Sequence, residues 1–180
     1  DLSKIESGTV TVEAEEISFA NVIEAVARPF RHEAEARQLG FGVSLDPKLG
    51  RTMLTDSKRL QQVLKNLLSN AFKFTAQGQV SLSVKAVSEG WNPGHPVLDQ
   101  AANVMVFEVS DTGIGIPPEI LPRLFEPFVT HGKSHGTGLG MAIAKAVISA
   151  HEGKISVASV QGSGTTVEVR LPVPKSDLPA

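Results

Sequence analysis

Apolar residues recur at helical spacing in three stretches of the chain, which predicts three amphipathic helices. The first covers residues 18–38, with Ser18 as its N-cap and Gly40 as its stop. The third runs from about 141 to 151 and is closed by Gly153. The apolar face of the first helix consists of Val22, Ile23, Val26 and Phe30.

The second predicted helix, residues 57–74, has the strongest pattern and two distinct faces. Asparagine in the middle of a helix is a poor helix former, and a solvated face would favour glutamate and lysine. We therefore favour a functional interpretation of the polar face over a plain solvent-exposed one. The apolar stripe consists of Leu60, Val63, Leu64, Leu67, Leu68, Ala71 and Phe72, and the polar face of Gln62, Asn66, Asn70 and Lys73.

Shorter apolar and alternating runs predict strands between and after these helices. Residues 80–84 and 104–109 form a predicted hairpin, and its long tip, 88–103, is interpreted as surface decoration. Residues 154–160 and 165–171 form a last hairpin, and nothing in the chain marks an internal linker. The remaining predicted strands are 9–12 and, around a turn at Asp46-Pro47, 41–45 and 52–55, and the tail from Pro172 is expected to be flexible.

A glycine-containing turn, Asp111 to Pro117, follows the buried strand 104–109. Gly113 and Gly115 allow close backbone approaches that a Cβ would prevent. The Asp111 carboxylate accepts hydrogen bonds and suits a donor such as an exocyclic amine. By itself, the motif fits an ordinary tight turn equally well.

A second glycine-rich segment, Gly136 to Gly140, opens the third predicted helix. Free N–H groups and the helix dipole make such a segment an anion site, although a simple helix start remains open. The spacing matches neither the dinucleotide-binding fingerprint nor the Walker P-loop. A carboxylate for an adenine amine, a phosphate cradle, and a helix face with amide oxygens and a lysine together describe an ATP site.

Composition narrows the class of protein. A formal net charge of −2 argues against a nucleic-acid binder, and the absence of cysteine excludes disulfides and thiolate metal sites. No apolar run approaches the roughly 18 residues of a membrane span, and the start does not look like a signal peptide. The chain opens without methionine, which suggests a fragment of a longer protein.

The motifs, in their order, resemble the catalytic and ATP-binding domain of sensor histidine kinases. That domain belongs to a superfamily shared with gyrase-type, mismatch-repair and chaperone ATPases. Residues 59–75 are similar to its N box, 111–117 to the first glycine box, 124–128 to the F box and 136–140 to the second glycine box. The resemblance implies a Bergerat-type α/β two-layer sandwich with a mixed, mostly antiparallel sheet on three helices. It divides the chain into a junction from a missing dimerisation helix (1–8), the ATP-binding domain (9–172) and a flexible tail (173–180).

The resemblance also implies roles for individual residues in binding ATP. Asp111 would bind the adenine amine, and Gly113 and Gly115 would let the backbone approach the ring. Asn70 would ligate Mg²⁺. Asn66 and Lys73 would be the catalytic residues, with Lys73 on phosphate oxygens. The other implied ATP contacts are Phe74, where many relatives carry tyrosine, Ile116, Thr165 or Thr166, Lys133 of the lid, and the phosphate cradle Gly136, Thr137, Gly138, Leu139 and Gly140.

Asn66 distinguishes branches of the superfamily. Hydrolysing members carry a glutamate there as general base, and an amide cannot take that role at neutral pH. The resemblance therefore implies transfer of the γ-phosphate to a histidine, with ATP hydrolysis as the alternative and a non-catalytic docking module as a third interpretation.

The chain departs from the family in its short lid, 129–135, and in lacking the phosphoacceptor histidine with its helical hairpin. His32-Glu33 is a poor substitute for that acceptor because the arginine or lysine, threonine and proline expected after it are missing. A metal site at His131 and His135 is disfavoured because other ligands are absent. The isolated chain is therefore not expected to label itself.

The resemblance implies several partners for the parent protein. They are ATP or ADP, a dimerisation and histidine-phosphotransfer domain of the same protein, and a response-regulator receiver domain. It implies a homodimeric parent and a cytoplasmic location, with no nucleic-acid partner and no membrane contact by this fragment.

Overall fold

The computed structural model describes residues 13–87, 103–127 and 140–173. Within these ranges, no helix combines the length and apolar character needed to cross a bilayer. The elements in chain order are β1 (Glu15–Ser18), α1 (Phe19–Arg37), β2 (Gly40–Leu45), β3 (Thr52–Thr55), α2 (Ser57–Lys73), β4 (Gln79–Val87), β5 (Asn103–Asp111), a 3₁₀ turn (Leu121–Arg123), α3 (Gly140–Ala150), β6 (Lys154–Val160) and β7 (Gly164–Val173).

The main sheet of the described region has five strands in the order β2-β4-β5-β7-β6. The pair β2–β4 is parallel and the other pairs are antiparallel. Alternate strand residues such as Leu82, Phe107 and Val169 are fully buried and join one core with the apolar faces of α1, α2 and α3. The predicted two-layer α/β sandwich with a mixed, mostly antiparallel sheet is therefore confirmed.

Helix α2 occupies the centre of the core. The Asp56 carboxylate caps its N-terminus by accepting a hydrogen bond from the N–H of Arg59 at 3.1 Å. The Phe72 ring near its other end stacks on Phe30 of α1 with 5.3 Å between centroids. Every residue of the predicted apolar stripe is buried, as the helical period requires.

The predicted glycine stops of two helices are wrong. Gln38 and Glu152, with φ of 57° and 60°, take the left-handed conformation after α1 and α3. Gly153 meets a different requirement, because a Cβ there would collide with the carbonyl oxygen of Arg170. Glycine at this position reflects tight packing between a helix end and a strand.

The predicted strands 41–45 and 52–55 are confirmed as β2 and β3, and they lie in different sheets, since β3 pairs with β1 and β2 with β4. The predicted tail needs correction, because it does not begin at Pro172, which pairs with Val104 within β7. A proline is tolerated there because β6 pairs with β7 only as far as Arg170, so among the described residues one side of the strand has no neighbour at Pro172. The predicted strand 9–12 and the loop 88–102 lie outside the described residues.

Candidate nucleotide-binding site

A partly open cleft lies between the C-terminal half of α2 and the ends of β5 and β7. It holds about 530 Å³ of empty space, its open mouth included. Apolar groups dominate its walls, and a few polar side chains converge on it, as is usual for small-molecule sites. The lining residues are Leu67, Asn70, Ala71, Phe74, Val109, Asp111, Gly115, Ile116, Leu124, Met141, Thr165 and Val167.

Asp111 is the last residue of β5 and lines this cleft. Its Oδ1 accepts a hydrogen bond from the N–H of Gly113 at 2.9 Å. Burial raises the pKa of the Asp111 carboxyl above its ordinary value, and hydrogen bonds from the backbone of Gly113 and Thr165 and from the Thr75 hydroxyl oppose the rise. The group is a partly desolvated acceptor beside an apolar cavity.

The turn after Asp111 packs backbone against backbone on two neighbouring segments. A Cβ on Gly113 would collide with the carbonyl oxygen of Phe74, which also accepts a hydrogen bond from Ile114 N–H at 3.1 Å. Gly115 has a φ of +71°, and a Cβ there would collide with the carbonyl oxygen of Val160. The glycines therefore fix the turn between the end of α2 and the tip of the β6–β7 hairpin.

A row of polar side chains crosses the sheet beneath the cleft. Thr165 is the register partner of Asp111 on one side and of Ser159 on the other. The Thr165 hydroxyl lies 2.9 Å from Ser159 Oγ, and Thr165 lines the cleft. Thr166 points to the opposite face, where its hydroxyl lies 2.9 Å from that of Ser110. Of the two threonines considered from sequence, Thr165 is the one at the cleft.

The polar face of α2 reaches the cleft only in part. Asn70 lines it, whereas the Asn66 side chain donates to the carbonyl oxygen of Gly140, at the start of α3, at 3.4 Å. Lys73 lies outside the wall, with its Nζ 5.5 Å from the centroid of the Phe74 ring. Gln62 accepts a hydrogen bond from Arg59 at 3.4 Å, one turn from the helix start.

Several residues singled out in the sequence lie outside the described residues. They are Lys133, the cradle residues Gly136, Thr137, Gly138 and Leu139, and the lid histidines His131 and His135.

The structure adds two residues that sequence reasoning missed. Arg37, at the end of α1, donates to the carbonyl oxygens of Phe72 and Thr75 at 2.7 and 2.8 Å. Ser159 contacts both the glycine turn and Thr165. Neither position carried a signal in the sequence, because each acts through partners that only the tertiary fold brings near.

The chain matches a family model over residues 55–175, and that family is described as histidine kinase-, DNA gyrase B- and HSP90-like ATPase. The matched residues include α2, the Asp111 turn and the β6–β7 hairpin, so they cover the whole cleft. The family predicted from the motifs is confirmed.

Individual relatives agree with this assignment. The chain is 36% identical to the sensor histidine kinase RcsC of Escherichia coli (strain K12), over 96% of this chain and 17% of that protein. It is 37% identical to the autoinducer 2 sensor kinase/phosphatase LuxQ of Vibrio parahaemolyticus, over 96% of this chain and 20% of that protein. The chain therefore spans about a fifth of the length of these curated relatives.

A solved structure agrees in fold and sequence. Full-length ShkA in complex with AMPPNP superposes with a TM-score of 0.79 and 26% identity, over 95% of this chain and 33% of that chain. Together with the family match, the sandwich fold and the cleft beside Asp111, this shows that the chain belongs to the histidine kinase-, DNA gyrase B- and HSP90-like ATPase family, as an ATP-binding domain of the sensor histidine kinase type.

Proposed function

We propose that the chain binds Mg-ATP in the cleft and presents the γ-phosphate to a histidine on a dimerisation domain that lies elsewhere in the parent protein. The observation that carries the proposal is the meeting of Asp111, Thr165, Phe74 and Asn70 in one largely apolar cleft. These side chains come from three elements and offer a carboxylate, a hydroxyl, an aromatic ring and an amide. A flat base with an exocyclic amine and a phosphate tail matches that combination.

In the proposed complex, Asp111 accepts a hydrogen bond from the adenine amine. The Phe74 ring flanks the base, and Gly113, Gly115 and Ile116 supply the close-packed turn beside it. The desolvation of Asp111 supports this role, because a hydrogen bond to a charged acceptor strengthens where water is excluded. A hydrogen bond from the amine would replace part of the hydrogen bonding to water that the carboxylate loses on burial.

Magnesium is proposed to bind through Asn70, with phosphate oxygens and water as its other ligands. Mg²⁺ commonly uses only one or two protein oxygens when it accompanies a nucleotide. Asn70 lines the cleft, and its amide oxygen fits such a role. Among the described residues, no group of three or more histidine, aspartate or glutamate side chains could hold a metal ion by itself. Lys73, Lys133 and the segment from Gly136 to Gly140 are proposed to contact the phosphates.

Phosphoryl transfer to histidine is favoured over hydrolysis because of Asn66. An amide cannot take a proton from water at neutral pH, so the residue expected to activate water in a hydrolase is missing. Transfer breaks the bond between the γ-phosphorus and the bridging oxygen, releases ADP and forms a bond to an imidazole nitrogen. An imidazole nitrogen with a free lone pair can attack without prior deprotonation, and the proton on the other ring nitrogen leaves to solvent, so the site needs to supply positioning and charge neutralisation.

The parent protein is proposed to be a homodimeric cytoplasmic kinase, or one with a cytoplasmic kinase region, that passes its phosphoryl group to a receiver domain. A docking module without catalysis is the competing proposal. The presence of Asp111, Asn70 and the first glycine turn favours catalysis, since a binding surface alone would not require them.

Calorimetric titration with ADP and with a non-hydrolysable ATP analogue, with and without Mg²⁺, tests the nucleotide site. We expect saturable binding that Asp111→Ala abolishes. Asp46→Asn, which alters a carboxylate in the β2–β3 turn, should bind as wild type does. A wild-type chain that binds no nucleotide at millimolar concentration would contradict the proposal.

Radiolabelled ATP separates the three interpretations. The isolated chain should remain unlabelled and release no phosphate, and label should appear on the parent's dimerisation domain when that domain is added. Steady phosphate release that Asn66→Ala removes would instead establish a hydrolase. Binding with neither labelling nor release would favour the docking module.

A further inference from the structure

The hydroxyl of Ser159 on β6 has three polar neighbours at hydrogen-bond distance. Its Oγ accepts from the N–H of Ile116 at 2.8 Å and donates to the carbonyl oxygen of Gly164 at 3.0 Å. The hydroxyl of Thr165 lies 2.9 Å away. Ser159 therefore joins the glycine turn, the hairpin tip and a cleft-lining side chain.

Counting protons assigns the direction of each of these bonds. A serine hydroxyl has one proton and two lone pairs. The N–H of Ile116 can only donate and the carbonyl of Gly164 can only accept, so the Ser159 proton goes to Gly164. The second lone pair of Ser159 then accepts the proton of Thr165. All of the hydrogen-bonding capacity of the Ser159 hydroxyl is used.

The direction of the hydrogen bond from Thr165 to Ser159 decides whether the Thr165 hydroxyl can donate to a ligand or accept from it. Its only hydroxyl proton points towards Ser159, so the remaining lone pairs of Oγ1 face the cleft as acceptors. The neighbouring Asp111 carboxylate is also an acceptor, and the two residues are direct cross-strand partners on one sheet face. Cross-strand partners stand about 5 Å apart at Cβ.

Neighbouring side chains whose Cβ atoms stand about this far apart can direct two acceptors at one primary amine. The two N–H bonds of an amine diverge by roughly 120°, so acceptors about 2.9 Å from its nitrogen are separated by about 5 Å. A 6-oxo purine would instead direct an oxygen at two acceptors, which is repulsive.

We propose that Ser159 is a positioning residue for nucleobase selection, because it orients the Thr165 hydroxyl so that Asp111 and Thr165 together accept both hydrogens of the 6-amino group and disfavour a 6-oxo purine. This inference rests on the proposed function, since it needs a purine nucleotide in the cleft. Ser159 touches the turn and Thr165, and acts on the base through them.

The test compares the affinities of ADP and inosine diphosphate, which carries the 6-oxo group, by calorimetry on the whole chain. In Ser159→Ala the Thr165 proton is released and can turn into the cleft to donate to the 6-oxo oxygen. We expect the preference for ADP over inosine diphosphate to fall by roughly three- to tenfold, the effect of one hydrogen bond. Both ligands are measured on the same variant, so a general loss of stability does not move their ratio.

Three companion variants make the outcome decisive. Ser156→Ala, on the same strand but the opposite face, and Ser159→Thr, which keeps the hydroxyl, should both retain the wild-type preference. Thr165→Val should lower the preference, and Ser159→Ala should then have no further effect in that background. If Ser159→Ala does not fold, Thr165→Val still tests the acceptor role of Thr165.

The alternative results are distinct. An unchanged or increased preference for ADP in Ser159→Ala, or in Thr165→Val, would overturn this inference while leaving nucleotide binding in place. Failure of the wild-type chain to bind ADP would overturn the proposed function, and this inference with it.

Discussion

Arg37 and Thr75 are joined by a partly buried hydrogen bond of 2.8 Å from the guanidinium Nη2 to the backbone carbonyl. The Nη1 atom donates to the carbonyl oxygen of Phe72 at 2.7 Å, so one side chain satisfies two carbonyls at the end of α2. The residues between these carbonyls are Lys73 and Phe74. The end of α1 therefore fixes the backbone of the segment that forms one wall of the cleft.

Replacing this guanidinium should destabilise the fold. Arg37→Met keeps the apolar stem but leaves two partly buried carbonyls without their charged donor, and we expect the free energy of unfolding to fall by about 1.5–3 kcal/mol. Urea denaturation measures the change. Arg28→Met removes an exposed arginine whose ion pair with Glu24 is 3.9 Å long, and should change stability by less than about 0.5 kcal/mol. Equal effects of the two substitutions would contradict the role of Arg37.

The contact between Gly113 and the Phe74 carbonyl should make position 113 intolerant of a side chain. Gly113→Ala forces the turn away from α2, and we expect the free energy of unfolding to fall by roughly 1–3 kcal/mol, with weaker ADP binding. Gly42→Ala is the matched control, because a Cβ on Gly42 meets no atom within 4 Å among the residues described. Thermal melts and calorimetry of both variants check this prediction. A Gly113→Ala chain with wild-type stability would rule out the backbone contact.

The raised pKa of Asp111 should appear in the pH dependence of stability. Between the ordinary value of 3.8 and the raised value, the folded chain holds a proton that the unfolded chain has released. The free energy of unfolding therefore falls as pH rises through this window. Asp111→Asn cannot titrate, so its stability relative to wild type should increase across the same window. Denaturation series at several pH values test this.

Binding of ADP should have the opposite pH dependence. The proposed contact to the amine needs the Asp111 carboxylate, so affinity should rise as pH increases through the raised pKa and then level off. Calorimetry across this range measures it. An affinity that is flat with pH would argue against a titrating carboxylate at the base.

Asn70 should combine a favourable effect on binding with an unfavourable one on stability. Alanine is the better helix former, so Asn70→Ala should raise the free energy of unfolding by roughly 0.5 kcal/mol. The same substitution should remove the part of ADP affinity that depends on Mg²⁺. Ser69→Ala, its exposed neighbour on α2, should gain helix stability and keep the magnesium dependence. Loss of magnesium dependence in both variants would contradict a specific role for Asn70.

The elements that could be predicted from the sequence are those with a local cause. All seven apolar residues assigned to α2 are buried, because a helical period puts them on one face wherever the helix packs. The turn after Asp111 was also visible, since a glycine pair after an apolar strand follows from backbone sterics. Ser18 caps α1 as predicted, with its Oγ accepting from the N–H of Asn21 at 3.4 Å.

The glycine stops show where local reasoning fails. Glycine is a common helix stop because it takes positive φ at little energetic expense, yet the positive φ that follows α3 is taken by Glu152. Position 153 requires glycine because the carbonyl oxygen of Arg170, 17 residues later in the chain, packs against it. A rule based on neighbouring residues cannot predict that contact.

The sequence by itself determined the element types, the family and the residue types available for nucleotide binding. Each of these depends on periodicity, turn sterics or motif spacing, which are properties of neighbouring residues. The tertiary structure decided which polar residues meet: it selected Thr165 over Thr166, kept Lys73 out of the cleft wall, and brought Arg37 and Ser159 to partners far along the chain. Strand register and helix docking minimise the free energy of the whole core, so contacts between distant residues follow from packing that no short segment specifies.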